Sequence, residues 1–160
     1  FSRLPRPIFE NINYIKFIED TLNFFKTSYP DINFENKTIS NDKKRLKIKA
    51  DDKQLRQVIG NVIKNSSENF QENNILNKTI TFITNVAQHQ ILLSIQDNGV
   101  GIKDADEIKV LEPYFTTKKN GTGLGLAISK KIIEDHHGEI YIETSKTGTK
   151  VNIKFPINNN

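Results

Sequence analysis

Amide side chains recur at helical spacing in one stretch of the sequence. Gln57, Asn61, Asn65 and Glu68 follow one another at intervals of four, four and three residues, so on a helix they form one polar stripe. Amide oxygens are hard ligands that suit a Mg²⁺ ion bound partly through substrate phosphates. The alternative is a solvated helix face, but each asparagine inside a helix costs about 0.5 kcal/mol relative to alanine. For the two asparagines alone the solvated face is the preferred interpretation, although their cost calls for a reason.

A glycine-rich segment, Gly-Thr-Gly-Leu-Gly-Leu at residues 121–126, opens a predicted helix. Its glycines leave backbone N–H groups unshielded where the helix dipole is positive, which predicts a phosphate cradle. The segment follows a loop rather than a strand, unlike a Rossmann turn, and it lacks the Gly-Lys-Ser/Thr of a Walker loop. A glycine-rich hinge that binds no ligand is the alternative.

A carboxylate stands at the end of a predicted strand. Asp97 is followed by Asn98, Gly99, Val100 and Gly101. At a strand end the carboxylate can accept a hydrogen bond from an exocyclic amine, and the glycines allow backbone to approach a flat ring without a Cβ between them. Taken alone, this motif is explained better by a type I turn with an Asx cap.

Hydrophobic periodicity predicts the elements that position these motifs. The predicted helices run from Asn13 to about Tyr29, from Asp51 or Asp52 to about Ser66, and from Gly123 to His137. The predicted strands cover residues 31–37, 44–50, 79–86, 91–96, 139–145 and 149–155. A polar bridge is expected over 67–78, and residues 98–121 are expected to form a functional lid. This order predicts an α+β fold, a two-layer α/β sandwich with helices packed on one face of a mixed β-sheet.

Composition limits the class of protein. The chain has 160 residues, 36% hydrophobic and 26% charged, and it contains no cysteine, which excludes a disulfide framework and thiolate chemistry. The net charge of +4 comes from basic residues interleaved with acidic ones, without a basic and aromatic stripe, so we expect no nucleic-acid partner. No apolar run reaches the roughly 18–20 residues of a membrane span.

In their order along the chain, these motifs resemble the N, G1 and G2 boxes of the catalytic and ATP-binding domain of sensor histidine kinases, in the GHKL (Bergerat-fold) superfamily. Residues 113–118, Pro-Tyr-Phe-Thr-Thr-Lys, match the F box of that family. The resemblance covers about residues 50–156 and implies a Bergerat fold with an ATP lid, and ATP and Mg²⁺ as cofactors. The start of the chain, residues 1–7, and the short lid resemble the nitrogen-regulation kinases of the NtrY and NtrB type.

The same resemblance implies roles for individual residues. Asn65 would hold Mg²⁺, and Asp97 would bind the adenine amine with Thr149 assisting through water. Asn61 and Lys118 would be the catalytic residues, with Lys118 reaching the phosphates from the lid. The implied ATP-binding set is Asn61, Asn65, Asp97, Gly99, Gly101, Lys118, Gly121, Thr122, Gly123, Leu124, Gly125 and Thr149.

The residue type at position 61 distinguishes between the activities that are possible for a GHKL domain. In the GHKL ATPases a glutamate there activates water, and in the related protein-serine kinases it deprotonates a hydroxyl group. Asn61 cannot act as a base near neutral pH, whereas a neutral imidazole nitrogen is already a nucleophile and needs no base. The residue therefore favours histidine phosphotransfer over a GHKL ATPase or protein-serine kinase. The second alternative is a degenerate nucleotide-binding module without transfer activity, and the intact boxes argue against it.

No histidine of this chain stands in the phosphoacceptor context of the family. His136 precedes the helix-terminating Gly138, where we expect a capping role. The acceptor is expected on an upstream dimerisation and phosphoacceptor helical domain, with residues 1–9 as its linker, residues 10–157 as the catalytic domain and residues 158–160 as a tail. Further expectations are a response regulator receiver domain as partner, a homodimeric parent protein and a cytoplasmic location, with an inner-membrane anchor of the parent left open.

Overall fold

The computed structural model describes residues 4–39, 46–102 and 125–157. Within these ranges the chain forms seven strands and three helices. In chain order they are β1 Glu10–Asn13, α1 Tyr14–Ser28, β2 Asn33–Ile39, β3 Lys47–Ala50, α2 Asp52–Glu72, β4 Thr79–Ala87, β5 Gln90–Asp97, α3 Gly125–Asp135, β6 Glu139–Ser145 and β7 Gly148–Pro156. The F-box match at 113–118, residues 121–124 of the glycine segment and most of the predicted lid lie outside the described residues.

The main sheet has five strands in the order β2-β4-β5-β7-β6. β2 runs parallel to β4, and the other neighbours are antiparallel, so the sheet is mixed as predicted. β1 and β3 pair antiparallel in a separate two-stranded sheet. Successive side chains of β5 point to opposite faces of the sheet, so Ile91, Leu93, Ile95 and Asp97 share one face, and all four are buried. The carboxylate of Asp97 thus continues a row of core residues.

The helices cover that face with apolar stripes at helical spacing. Ile63 of α2 and Ile132 and Ile133 of α3 have no exposed surface, and α2 packs directly against α3. Burial of each such side chain contributes about 1.5–3 kcal/mol. The predicted two-layer α+β architecture is confirmed. None of the helices in the described ranges is long and apolar enough to cross a lipid bilayer.

The predicted starts of α1 and α2 are confirmed by their caps, whereas the predicted start of the third helix at Gly123 lies outside the described residues. Asn13 Oδ1 accepts a hydrogen bond from the N–H of Lys16 at 3.1 Å, and Asp51 Oδ1 accepts one from the N–H of Gln54 at 3.1 Å. Each side chain satisfies a donor that the first turn of its helix leaves without a backbone partner.

One prediction about the elements is wrong, and one strand is not predicted by the sequence. The predicted polar bridge is helical over residues 67–72, because Phe70 lies one turn beyond Ser66 and is only 1% exposed. Its burial holds the last turns of α2 against the core despite their polar composition. Strand β1 has no signal in the sequence, since its four residues show no alternation and are ordered by pairing with β3.

Candidate functional site

The carboxylate of Asp97 is held by donors from three parts of the fold. It is 7% exposed, and its Oδ2 accepts a hydrogen bond from Ser66 Oγ of α2 at 2.7 Å. Its Oδ1 accepts from the N–H of Gly99 at 3.0 Å and from the N–H of Thr149 in β7 at 3.2 Å. Hydrogen bonds to a charged acceptor are about twice as strong as neutral ones. The three donors therefore fix the carboxylate in one orientation.

The two glycines after Asp97 make close approaches to the protein itself. A Cβ on Gly99 would overlap Oδ1 of Asn69, and a Cβ on Gly101 would overlap the carbonyl oxygen of Ser145 and the hydroxyl of Thr144. The close backbone approach inferred from the sequence is present, but its described partners are side chain and backbone of this chain rather than a ligand ring. The role of both glycines in an adenine pocket stays a prediction.

The β6–β7 turn brings Thr149 to the carboxylate. Gly148 has a φ of +150°, and a Cβ there would overlap the carbonyl oxygen of Asp97. Only glycine tolerates this conformation and this approach together. The sequence predicts the turn at Gly148, but its contact with the end of β5 becomes visible only when the strands are paired.

Asn61, one residue of the polar stripe on α2, contacts the start of α3. Asn61 Nδ2 donates to the carbonyl oxygen of Gly125 at 3.0 Å and to Ser129 Oγ at 3.2 Å. Ser129 is fully buried and donates to the same carbonyl oxygen at 3.0 Å. The side chain of Asn61 thus presents its amide nitrogen to the first turn of α3. Asn65 lies one turn further along α2 and is half-buried, whereas Gln57 is exposed.

Asn69, the next residue of this series at a spacing of four, has no role in the motifs of the sequence. Asn69 Oδ1 accepts from the N–H of Val100 at 2.8 Å, and Asn69 Nδ2 donates to the carbonyl oxygen of Val100 at 2.9 Å. The asparagine series 61, 65 and 69 could have identified it.

Five of the predicted site residues lie outside the described residues: Lys118, Gly121, Thr122, Gly123 and Leu124. Their roles stay predictions. Gly125, the last glycine of that segment, begins α3 and lies beside Asn61. The structure therefore brings the predicted site residues together in two groups, one of Asn61 and Gly125 and the other of Asp97, Gly99 and Thr149.

His136 has a structural position. It is 3% exposed, its Nε2 accepts from the N–H of Asp51 at 3.0 Å, and its Nδ1 is 2.8 Å from the carbonyl oxygen of Ile132. The ring is therefore neutral with its proton on Nδ1, and burial lowers the pKa of His136 below its ordinary 6.5. The expected capping role is confirmed, because the ring satisfies a carbonyl at the end of α3 and an N–H at the start of α2.

Known proteins similar to this chain identify its family. The family model of histidine kinase-, DNA gyrase B- and HSP90-like ATPases matches residues 50–159. Sporulation kinase E of Bacillus subtilis is 41% identical over 67% of this chain, and a putative NtrY-like sensor histidine kinase of Rickettsia bellii is 32% identical over 97% of it. The chain spans only 14% and 25% of the lengths of these two relatives.

Solved structures resemble the chain over nearly its whole length. The catalytic domain of histidine kinase ThkA has a TM-score of 0.78 and 29% identity, covering 93% of this chain and 95% of that one. The histidine kinase ThkA in complex with the response regulator protein TrrA matches with a TM-score of 0.76 and 25% identity, covering 95% of this chain and 42% of that one.

The fold and the matched residues define an ATP-binding catalytic domain of the GHKL superfamily. The chain belongs to the family of histidine kinase-, DNA gyrase B- and HSP90-like ATPases, since the family model covers well over half of it. Within that family it is similar to the catalytic domains of sensor histidine kinases, and its relatives include NtrY-like kinases.

Proposed function

We propose that this chain binds Mg-ATP and transfers the γ-phosphoryl group to a histidine on a separate helical domain of a homodimeric parent protein. The receiver domain of a response regulator would then take the phosphoryl group, as the ThkA–TrrA complex suggests by analogy. The observation that carries this proposal is the amide of Asn61, which donates to Gly125 and Ser129. A carboxylate at this position would face the carbonyl oxygen of Gly125, so the local geometry favours the amide over a general base.

Asp97 supports recognition of the adenine amine. A carboxylate offers about four lone-pair sites, and three of those of Asp97 are taken by Ser66, Gly99 and Thr149. The remaining site can accept one N–H, which the 6-amino group of adenine supplies and the 6-oxo group of guanine does not. Thr149 would assist through a water molecule.

The amide side chains on α2 could provide a ligand for a metal ion that binds together with the nucleotide. Among the described residues, no group of three or more His, Cys, Asp or Glu side chains is arranged to hold a metal. Mg²⁺ keeps several water ligands and binds through few protein oxygens together with substrate phosphates, so the amide oxygen of Asn65 would suffice as a protein ligand. When bound, Mg²⁺ would neutralise phosphate charge.

The transfer itself requires positioning and charge stabilisation. The lone pair of a neutral imidazole nitrogen attacks the γ-phosphorus, the bond to the β,γ-bridging oxygen breaks, and ADP leaves with that electron pair. The proton remaining on the imidazole ring is lost to solvent. Lys118 and the N–H groups of residues 121–125 would stabilise the charge on the phosphates.

Calorimetry tests the nucleotide site. We expect the chain without substitutions to bind ATP in the presence of Mg²⁺. The substitutions Asp97→Asn and Asn65→Ala should each abolish this binding. Gln57→Ala is the matched control, because Gln57 lies on the same helix but is exposed. Unchanged affinity in Asp97→Asn and Asn65→Ala would show that the site is misassigned.

A transfer assay distinguishes the alternatives. The chain is mixed with its phosphoacceptor domain and ATP labelled at the γ-phosphate, and we expect an acid-labile phosphohistidine on the acceptor. Rapid hydrolysis of ATP without any acceptor would favour a GHKL ATPase. ATP binding without phosphohistidine would favour a degenerate nucleotide-binding module.

A further inference from the structure

We propose that Asn69 is a positioning residue of the ATP site, which it serves by holding the backbone that follows Asp97. This inference rests on the proposed function. It concerns a side chain that neither the motifs nor the matched family description assigns to the site.

The contact of Asn69 is bidentate. Its Oδ1 accepts from the N–H of Val100 at 2.8 Å and its Nδ2 donates to the carbonyl oxygen of the same residue at 2.9 Å. The amide therefore satisfies both backbone groups of Val100 in the way that a neighbouring strand would. Val100 is 41% exposed, so burial of its own side chain contributes little to keeping this backbone in place.

Other side chains hold the same segment at its two ends. Asn98 accepts from the N–H of Thr79 at 2.8 Å and donates to the carbonyl oxygen of Asn77 at 2.6 Å. Thr144 Oγ1 accepts from the N–H of Ile102 at 2.7 Å. Asn69 supplies the contact that lies between those of Asn98 and Thr144. Together these contacts would fix the course of the backbone that follows the proposed adenine-binding carboxylate.

Gly99 couples this contact to Asp97. The N–H of Gly99 donates to Asp97 Oδ1 at 3.0 Å, while its Cα lies so close to Asn69 that a Cβ would overlap Asn69 Oδ1. A side chain at position 99 would therefore displace Asn69 from Val100. Glycine at this position allows the amide, the Val100 backbone and the carboxylate to be held together.

Asn73 provides a matched control on the same helix. It lies one turn beyond Asn69, and its Nδ2 donates to the carbonyl oxygen of Asn69 at 2.9 Å. Asn73→Ala therefore removes a side-chain hydrogen bond from the end of α2 without removing the contacts of the Asn69 side chain with Val100.

The experiment measures ATP affinity by calorimetry and thermal unfolding of the 160-residue chain without nucleotide. We expect Asn69→Ala to raise the Kd for Mg-ATP roughly tenfold, and Asn73→Ala to change it by less than about twofold. Asn69→Asp keeps the size and the acceptor but places an anion against the carbonyl of Val100, so it should also weaken binding. With the acceptor domain, Asn69→Ala should raise KM for ATP more than it lowers kcat.

A double-mutant cycle tests the link to Gly99. Gly99→Ala should weaken ATP binding in the parent chain, but it should add little to the loss already caused by Asn69→Ala. Fully additive losses would overturn the proposal, and so would an Asn69→Ala chain that unfolds at a lower temperature yet binds ATP as tightly as the parent. If the parent chain itself does not bind ATP, the proposed function fails; if only the Asn69 variants behave like the parent, this inference alone fails.

Discussion

At the scale of single residues, the hydroxyl group of Ser66 is the one side-chain donor among the three described donors to the carboxylate of Asp97. Ser66 directly follows Asn65 on α2, and the sequence motifs assign it no role. In the structure Ser66 Oγ donates to Asp97 Oδ2 at 2.7 Å, and both side chains are buried. A hydrogen bond to a buried charged group contributes more than an average one.

We expect Ser66→Ala to lower the free energy of unfolding by about 1.5–3 kcal/mol, the usual contribution of a hydrogen bond to a charged group. Urea denaturation of the chain measures this change. Ser67→Ala, the same substitution at the next residue of α2, is the control. Equal stability of the Ser66→Ala and Ser67→Ala chains would contradict the assignment.

The addition of a methyl group should lower the stability of the chain at one glycine of the site and leave it unchanged at another. A Cβ on Gly101 would overlap the backbone of Ser145, whereas a Cβ on Gly125 would lie 3.8 Å from the nearest atom, Cγ of Asn61. We expect Gly101→Ala to cost about 1–3 kcal/mol of stability and Gly125→Ala to cost none. Thermal unfolding without nucleotide measures both, and a Gly101→Ala chain as stable as the parent would show that this approach is not tight.

At the scale of elements, α2 and α3 are joined by polar contacts at two places. Asn61 binds the first turn of α3, and His136 after the end of α3 accepts from the N–H of Asp51 at the start of α2. The segment before β1 adds to the second junction, since the N–H of Ile8 donates to Asp51 Oδ2 at 2.9 Å and the ring of Phe9 lies 5.2 Å from that of His136. The junction at His136 therefore connects three parts of the chain.

Because His136 is part of this junction, the free energy of unfolding should depend on pH. Burial lowers the pKa of His136 in the folded chain below 6.5, so on acidification the unfolded chain takes up the proton first. The stability due to the neutral ring is complete above about pH 6.5 and is lost as the pH falls towards the folded pKa, by at most about 1.4 kcal/mol per pH unit.

Denaturation at about pH 7.5 and about pH 5.5 measures this loss. We expect a steeper fall for the parent than for His136→Asn, which has no imidazole at this position. His137→Asn is the control, because His137 is exposed and its φ of +60° is one that asparagine adopts. The same slope in His136→Asn and His137→Asn would show that His136 does not cause the dependence.

At the scale of the whole molecule, binding of Mg-ATP should stabilise the fold. A ligand that binds only the folded chain adds about 2.7 kcal/mol at a concentration of 100 times its Kd. We expect Mg-ATP to raise the unfolding temperature, and a chelator that removes Mg²⁺ to reduce the rise. Thermal unfolding with and without the chelator measures this, and Asp97→Asn should show no rise in either condition. A rise that does not depend on Mg²⁺ would contradict the metal ligand role of Asn65.

The sequence by itself determined the local elements and the motifs. Helix α1 follows from the cap at Asn13 and the apolar spacing after it, and strand β6 has the predicted bounds, Glu139–Ser145. These features depend on residues close together in the chain, where backbone propensity and periodicity decide the outcome. The end of α2 was predicted too early, because one buried side chain, Phe70, outweighs the polar residues around it.

Only the tertiary structure decided which residues of distant segments meet. The pairings of Ser66 with Asp97, Asn69 with Val100, and Asn61 with Gly125 each join positions more than 30 residues apart, and each depends on how α2 lies against the sheet and α3. The close approach of Gly101 to Ser145 depends on strand pairing in the same way. Local sequence cannot specify such contacts, because sheet register and helix packing are set by the core as a whole.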